Sequence, residues 1–183
     1  MTTMKMNVWL IPLALCAGLA GCGGAGSAPP AGQTASDPAT QALSAPLPIS
    51  VRLLGEDAGT YSVMDVSLAS LDVEADGVPL TVSNLAHKPM NLANTSQAWL
   101  LGTATVPAGT ANVRVTITFA GTASWIDAHG AGSLNTAAVP IRYSAPVKLF
   151  ALQDKTTFHV DLLRSAISGG SARLLLPQGE AHF

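Results

Sequence analysis

Asn112–Phe119 alternates without a break. Val113, Val115, Ile117 and Phe119 fall on one side, and Arg114, Thr116 and Thr118 on the other. A period of two marks a strand with one buried and one wet face. It commits this part of the chain to a sheet, because a one-residue slip would send every apolar side chain into water. The neighbouring segments repeat the pattern. Ile49, Val51 and Leu53 point one way, and residues 56–60 form a turn. Residues 63–74 predict a long second strand with Val66, Leu68, Leu71 and Val73 apolar. The change of phase between Leu68 and Leu71 predicts a bulge. Ala75-Asp76-Gly77 closes a hairpin, since Asp-Gly favours positive φ, and residues 78–82 return.

Residues 84–94 read as irregular, with a short apolar piece at Met90 to Leu92. Trp99–Val106 predicts a strand, Pro107-Ala108-Gly109-Thr110 a turn, and residues 121–136 a long loop rich in Gly, Ala and Ser. Val139, Ile141 and Tyr143 predict another strand. Val147–Ala151 is expected to pair with residues 156–163 across a turn at Gln153-Asp154-Lys155. The last strand is expected at 173–176, before Pro177. A helix is credible only at 162–167. About eight short strands at this spacing predict an all-β fold, an antiparallel sandwich. A domain of about 135 residues buries roughly two-thirds of its unfolded surface and needs no staple.

The N-terminus has a different character. Residues 1–7 are polar with one cation, Lys5. Residues 8–15 are apolar, and small residues follow up to Gly21. This order matches a secretory signal peptide, and the run is shorter than the roughly 20 apolar residues that span a bilayer. Its end, Leu19-Ala20-Gly21-Cys22, resembles the lipobox of bacterial lipoproteins. That resemblance implies cleavage between Gly21 and Cys22 and acylation of the Cys22 thiol and amino group. One acyl chain binds only marginally, at about 0.8 kcal/mol per buried methylene, so two or three make a stable anchor. Neither Gly23 nor Gly24 is the aspartate that retains such proteins in an inner membrane. The implied location is the bacterial cell envelope, at the outer membrane.

Residues 23–48 are Gly, Ala, Ser, Pro, Thr and Gln with a single charge, Asp37, and no large apolar residue before Leu43. Such a segment buries too little to offset its ordering entropy. It reads as a disordered linker spanning on the order of 25–30 Å, with the domain at 49–183. Cys16 leaves with the signal and Cys22 carries lipid, so the domain has no thiol and no cysteine metal site. With Lys5 removed, eight Lys and Arg stand against eleven Asp and Glu, a net charge of −3. That argues against nucleic acid and against polybasic attachment to lipid.

The domain also resembles one family, the lipobox-bearing β-sandwich lipoproteins described only as a domain of unknown function. The matching segments are a short strand with an acidic turn (Val51-Arg52-Leu53-Leu54-Gly55-Glu56-Asp57-Ala58), the strand at 63–74, and Met90-Asn91-Leu92. Leu101-Gly102 leads to the Pro107–Thr110 turn. Asp161, Ser165, Ile167 and a Leu-Leu-Leu-Pro end complete the pattern, so the resemblance covers nearly all of 49–177. It implies an immunoglobulin- or transthyretin-like sandwich and no activity. The chain departs from the pattern in lacking Asp-Ala-Pro after the first strand and in its long 121–136 loop.

Candidate sites are few. His159 and Asp161 alternate with Phe158, Val160 and Leu162 and read as a polar solvent face. Glu56 and Asp57 with Asp65 offer oxygens for calcium, but read as a solvated turn. Glu180-Ala181-His182 reads as a frayed tail. Asp127 and His129 lie beside Trp125 in the Gly-rich loop, and loops carry function more often than strands. Trp125, Asp127 and His129, with Trp99 near them, are therefore the expected contact surface. One acid and one imidazole make neither a triad nor a zinc site. No nucleophile elbow, His-Glu-x-x-His, Walker loop or dinucleotide fingerprint is present. The expectation is a non-enzymatic, cofactor-free module for binding, adhesion or structure, held by lipid and facing an envelope protein or glycan. The alternatives are an envelope hydrolase using carboxylates, and an assembly subunit that adds a strand to a partner's sheet.

Overall fold

The structure, a computed structural model, describes residues 42–136, 139–152, 155–169, 172–175 and 179–183, with the backbone alone at 167–169 and 172–174. The signal segment, Cys22, the linker up to residue 41 and the turn residues Gln153 and Asp154 lie outside the described residues. The strands are β1 (Leu47–Glu56), β2 (Tyr61–Val66), β3 (Leu68–Ala75), β4 (Val78–Pro79), β5 (Val82–Ser83), β6 (Met90–Asn91), β7 (Trp99–Val106), β8 (Asn112–Phe119), β9 (Thr122–Asp127), β10 (Gly130–Asn135), β11 (Ile141–Pro146), β12 (Lys155–Asp161), β13 (Ala166–Gly169), β14 (Ala172–Leu175) and β15 (Gly179–His182). Two single-turn helices are α1 (Val147–Ala151) and α2 (Leu162–Ser165).

The fold is all-β, as the alternation predicts. Val113, Val115, Ile117 and Phe119 of β8 are all buried. They join Ile49, Val51 and Leu53 of β1, Leu71 and Val73 of β3, and Phe158 and Val160 of β12 in one core. β8 lies between β3 and β11, and the order of that sheet is β11-β8-β3-β4. A second sheet runs β13-β14-β10-β9-β2-β6, and a third β15-β12-β1-β7-β5. Most pairs are antiparallel. Among the described residues two are parallel, β1 with β12 and β10 with β14.

The strand expected at 63–74 is one run of chain divided between two sheets. It breaks at Ser67, and its partner breaks at Ala120, whose N–H donates to the Ser67 carbonyl at 2.8 Å. Just past the break, the β3–β8 register slips between Leu68 and Ser70. This is the expected bulge, and it restores Leu71 and Val73 to the inner face.

Four expectations are corrected. Residues 121–136 are not a loop. They form the β9–β10 hairpin, paired from Thr122–Asn135 to Asp127–Gly130. Only Ala123 and Leu134 of it are buried, so its order comes from backbone pairing, which leaves little hydrophobic signal. Val147–Ala151 is a helical turn, not a strand, because Val147 and Phe150 share one buried side at i, i+3 spacing. β12 accordingly pairs with β1 and β15 instead. The last strand is not the one at 173–176. Glu180-Ala181-His182 belongs to β15, which is paired along β12. The chain also enters the fold earlier than expected. β1 begins at Leu47, and Leu43 exchanges backbone bonds with Thr110 and Gly109.

The Asp76-Gly77 turn has the positive φ angles its sequence predicts, +47° and +83°. The Asp76 carboxylate accepts the N–H of Ala111 at 2.9 Å and of Asn112 at 2.8 Å, tying this hairpin to the start of β8. These bonds, Ala111 first, hold the carboxyl below the usual carboxylate range. A folded-state value below the unfolded one contributes stability above the unfolded value, about pH 4, and loses it as pH falls through the folded one. Asp76→Asn is therefore expected to flatten the acid limb below about pH 4, read as urea midpoints against pH. An unchanged limb would contradict this.

One inward hydroxyl has no partner among the described residues. Thr156 of β12 is 1% exposed, and its Oγ1 makes no hydrogen bond. Valine keeps the shape and removes the orphan. Thr156→Val is expected to stabilise the fold by about 1 kcal/mol, seen as a higher denaturant midpoint with an unchanged slope.

Candidate functional site: an acidic cleft at the β1–β12–β15 end

The parallel pairing of β1 and β12 places their C-terminal ends side by side. Glu56 stands opposite Asp161, and Leu54 opposite His159. β15 runs back along the other edge of β12, with Glu180 opposite His159 and Gly179 opposite Val160. A Cβ on Gly179 would collide with the His159 carbonyl, so the close approach requires glycine there. At the end of β1 the chain turns through Asp57, whose φ is +46°. At the end of β12 the Asp161 carboxylate caps α2, accepting the Arg164 N–H at 2.9 Å. The Arg164 guanidinium lies 3.7 Å from the same carboxylate.

An open cleft of about 370 Å³ results, lined by Glu56, Asp57, His159, Asp161, Arg164, Gly179 and Glu180. At its base His159 Nδ1 bonds to Glu56 Oε1. The His159 side chain is only 15% exposed. Its ring stacks on that of His182, with centroids 3.9 Å apart and planes 22° from parallel. His182 Nε2 in turn lies 3.2 Å from Glu180 Oε1. Each imidazole thus has its own carboxylate. Ring nitrogens bind metals in the plane of the ring, so two near-parallel stacked rings do not converge on one ion. Among the described residues no group of three His, Cys, Asp or Glu is placed to hold a metal.

His159 is therefore not on a solvated face. The cleft joins His159 with Asp161, Glu56 with Asp57, and Glu180, whose strand also lays His182 on the His159 ring. Each of these pairs looks unremarkable by itself in the sequence. Their meeting depends on strand pairing across 103 residues between Glu56 and His159. The only local hint was the outward phase of His159 and Asp161 against Phe158 and Val160. Asp65 lies elsewhere, on β2 opposite Asn91 and Ser124.

Trp125, Asp127 and His129 lie on the β9–β10 hairpin. The Trp125 ring meets Tyr61 edge-on at 6.4 Å, and its indole N–H donates to the Ser133 carbonyl at 3.3 Å. Asp127 Oδ1 accepts the N–H groups of His129 and Gly130 at 2.8 and 3.0 Å, which closes the turn. His129 is exposed. Trp99 stands on β7 in another sheet and gives its indole N–H to the Asn91 carbonyl. Fold and cleft together define a mostly antiparallel β-sandwich with a polar cleft at the end of one sheet. Comparisons with known protein families, curated proteins and solved structures find no match to this chain.

Proposed function

We propose that the chain is a lipid-anchored β-sandwich of the bacterial cell envelope, acting as a binding module whose ligand enters the Glu56/His159 cleft. Four carboxylates, a guanidinium and an imidazole line one open cleft, and that observation carries the binding half of the reading. The lining suits a polar partner that offers hydroxyls or positive charge, such as an envelope glycan. The anchoring half rests on Leu19-Ala20-Gly21-Cys22 and on the small-residue segment behind it. A second reading, an envelope hydrolase, draws on the Glu56–His159 pair, a carboxylate-oriented imidazole of the kind that serves as a general base.

The test uses the full chain made in a host that processes lipoproteins. Wild type is expected in the membrane fraction and Cys22→Ser in the soluble fraction. A Cys22→Ser chain that stays with membranes would refute the anchor. Binding to solubilised envelope polysaccharide is expected to fall at least tenfold in Glu56→Gln and in His159→Ala, and to persist in Trp125→Ala. The opposite pattern would move the ligand to the β9–β10 hairpin. Turnover of a glycoside or ester panel that is lost in His159→Ala would establish the hydrolase instead.

A further inference from the structure

We propose that the outer face of the β3–β8–β11 sheet carries a second binding site, and that its ligand is a small zwitterion, a free amino acid held by its ammonium on Asp72 and by its carboxylate on Arg142. This does not depend on what the Glu56/His159 cleft binds.

An open cleft of about 650 Å³ lies on this face, where Asp72, Glu74, Arg114, Thr116, Arg142 and Ser144 line it. Asp72 and Glu74 alternate with buried Leu71 and Val73 along β3, and Arg114 and Thr116 with buried Val113, Val115 and Ile117 along β8. Strand pairing sets the six side chains in two rows. One runs Glu74, Arg114, Ser144, and the other Asp72, Thr116, Arg142. The first row is closed, with Arg114 Nη1 3.1 Å from Glu74 Oε2. In the second, a threonine stands where the first has its arginine. Asp72 and Arg142 are thus two strands apart, about 10 Å between backbones, and make no pair. Asp72 Oδ2 accepts the Ser70 hydroxyl at 3.0 Å. Arg142 is exposed and has neither a hydrogen bond nor an ion pair among the described residues.

Opposite charges therefore share one cleft with a gap between them. An anion alone meets Arg142 but is repelled by Asp72 and Glu74. A cation alone meets Asp72 but is repelled by Arg114 and Arg142. A molecule with both charges is attracted at each end, and the arrangement discriminates against either charge by itself. Charge-assisted contacts of about 2.8 Å at each end leave roughly 4 Å for the ligand's own charge separation, the scale of an amino acid. Thr116, between the two anchors in its row, offers a hydroxyl to the bound carboxylate. Asp72 and Arg142 are both exposed, so the contacts are screened by water and the expected affinity is about millimolar.

The full chain, labelled with nitrogen-15, is titrated with L-alanine, N-acetyl-alanine and alaninamide, and the backbone amides of Thr116 and Arg142 are followed by NMR. Alanine is expected to give saturable shifts. The affinity is expected to fall about tenfold for either blocked form, and about tenfold for alanine in Asp72→Asn and in Arg142→Gln. Lys88→Gln, outside the cleft, is expected to bind as wild type does. Both cleft variants change exposed side chains, and amide shifts that match wild type away from the cleft show that the fold is kept. N-acetyl-alanine binding as tightly as alanine makes this a plain anion site, and alaninamide doing so makes it a plain cation site. Either result overturns the zwitterion, as does the absence of saturable shifts with alanine or full binding by Asp72→Asn.

Discussion

Gly55→Ala is expected to lower the melting temperature by roughly 10 °C, a loss of about 3 kcal/mol or more for a domain of this size. Gly55 lies in β1 facing the core. A Cβ there would run into the carbonyl of Leu92 and close on its side chain as well. Leu92 has nowhere to go, since it is fully buried and its own N–H donates to the Met64 carbonyl at 2.9 Å. One methyl group therefore has to separate β1 from the Met90–Leu92 segment. The neighbour of Gly55 is Glu56, which holds His159, so the cleft should loosen together with the core. Gly77→Ala is the control. Gly77 has φ +83° and nothing within 4 Å of a Cβ, so only backbone strain remains, about 1 kcal/mol. Thermal unfolding followed by circular dichroism separates the two. A Gly55→Ala chain that melts with wild type would show that β1 and Leu92 are not in contact.

The second large effect is expected at Asn91. Its Oδ1 accepts the Met64 N–H at 2.9 Å and the Ala93 N–H at 3.0 Å. Its Nδ2 reaches the Ser62 carbonyl at 3.4 Å. β6 is only two residues long, so this side chain supplies the pairing that a longer strand would have made through its backbone. Asn91→Leu keeps the size and removes the Oδ1 that accepts both N–H groups, leaving the amide of a fully buried methionine without that partner. The expected cost is about 3 kcal/mol, since each stranded buried donor costs about 1–3 kcal/mol. Asn91→Asp keeps the acceptor and should lose only about 1 kcal/mol. Hydrogen exchange at the Met64 amide gives a site-specific reading. Faster exchange in Asn91→Leu is expected, and unchanged protection would show that another group holds this amide.

The resemblance-bearing segment Met90-Asn91-Leu92 shows where a sequence can be read and where it cannot. Its two apolar residues stand out, and both are buried. The asparagine between them looks like an ordinary loop residue, because two of its three bonds go to Met64 and Ser62, which strand pairing brings to it. The same division runs through the candidate site. Glu56 with Asp57, His159 with Asp161, and Glu180 with His182 each resemble exposed polar pairs. Which pairs meet is a property of neighbours in space, and these neighbours belong to strands far apart in the chain. The β9–β10 hairpin was illegible for a different reason. Gly, Ala and Ser leave no alternation to detect, while the backbone still pairs.

The sequence by itself determined which residues form strands wherever one face is buried, because alternation of apolar and polar side chains is a local property set by the pleat. It placed the core of β1, β3 and β8, the strand β7, the Asp76-Gly77 turn and the bulge after Leu68. It also carries the Leu19–Cys22 resemblance, a linear signal that needs no fold to be read. The tertiary structure alone decided that β1 and β12 run in parallel and that β15 returns along β12. Pairing order follows from the global packing of three sheets around one core, which no local pattern encodes. That choice of neighbours brings Glu56, His159 and Glu180 into one cleft and stacks His182 on His159.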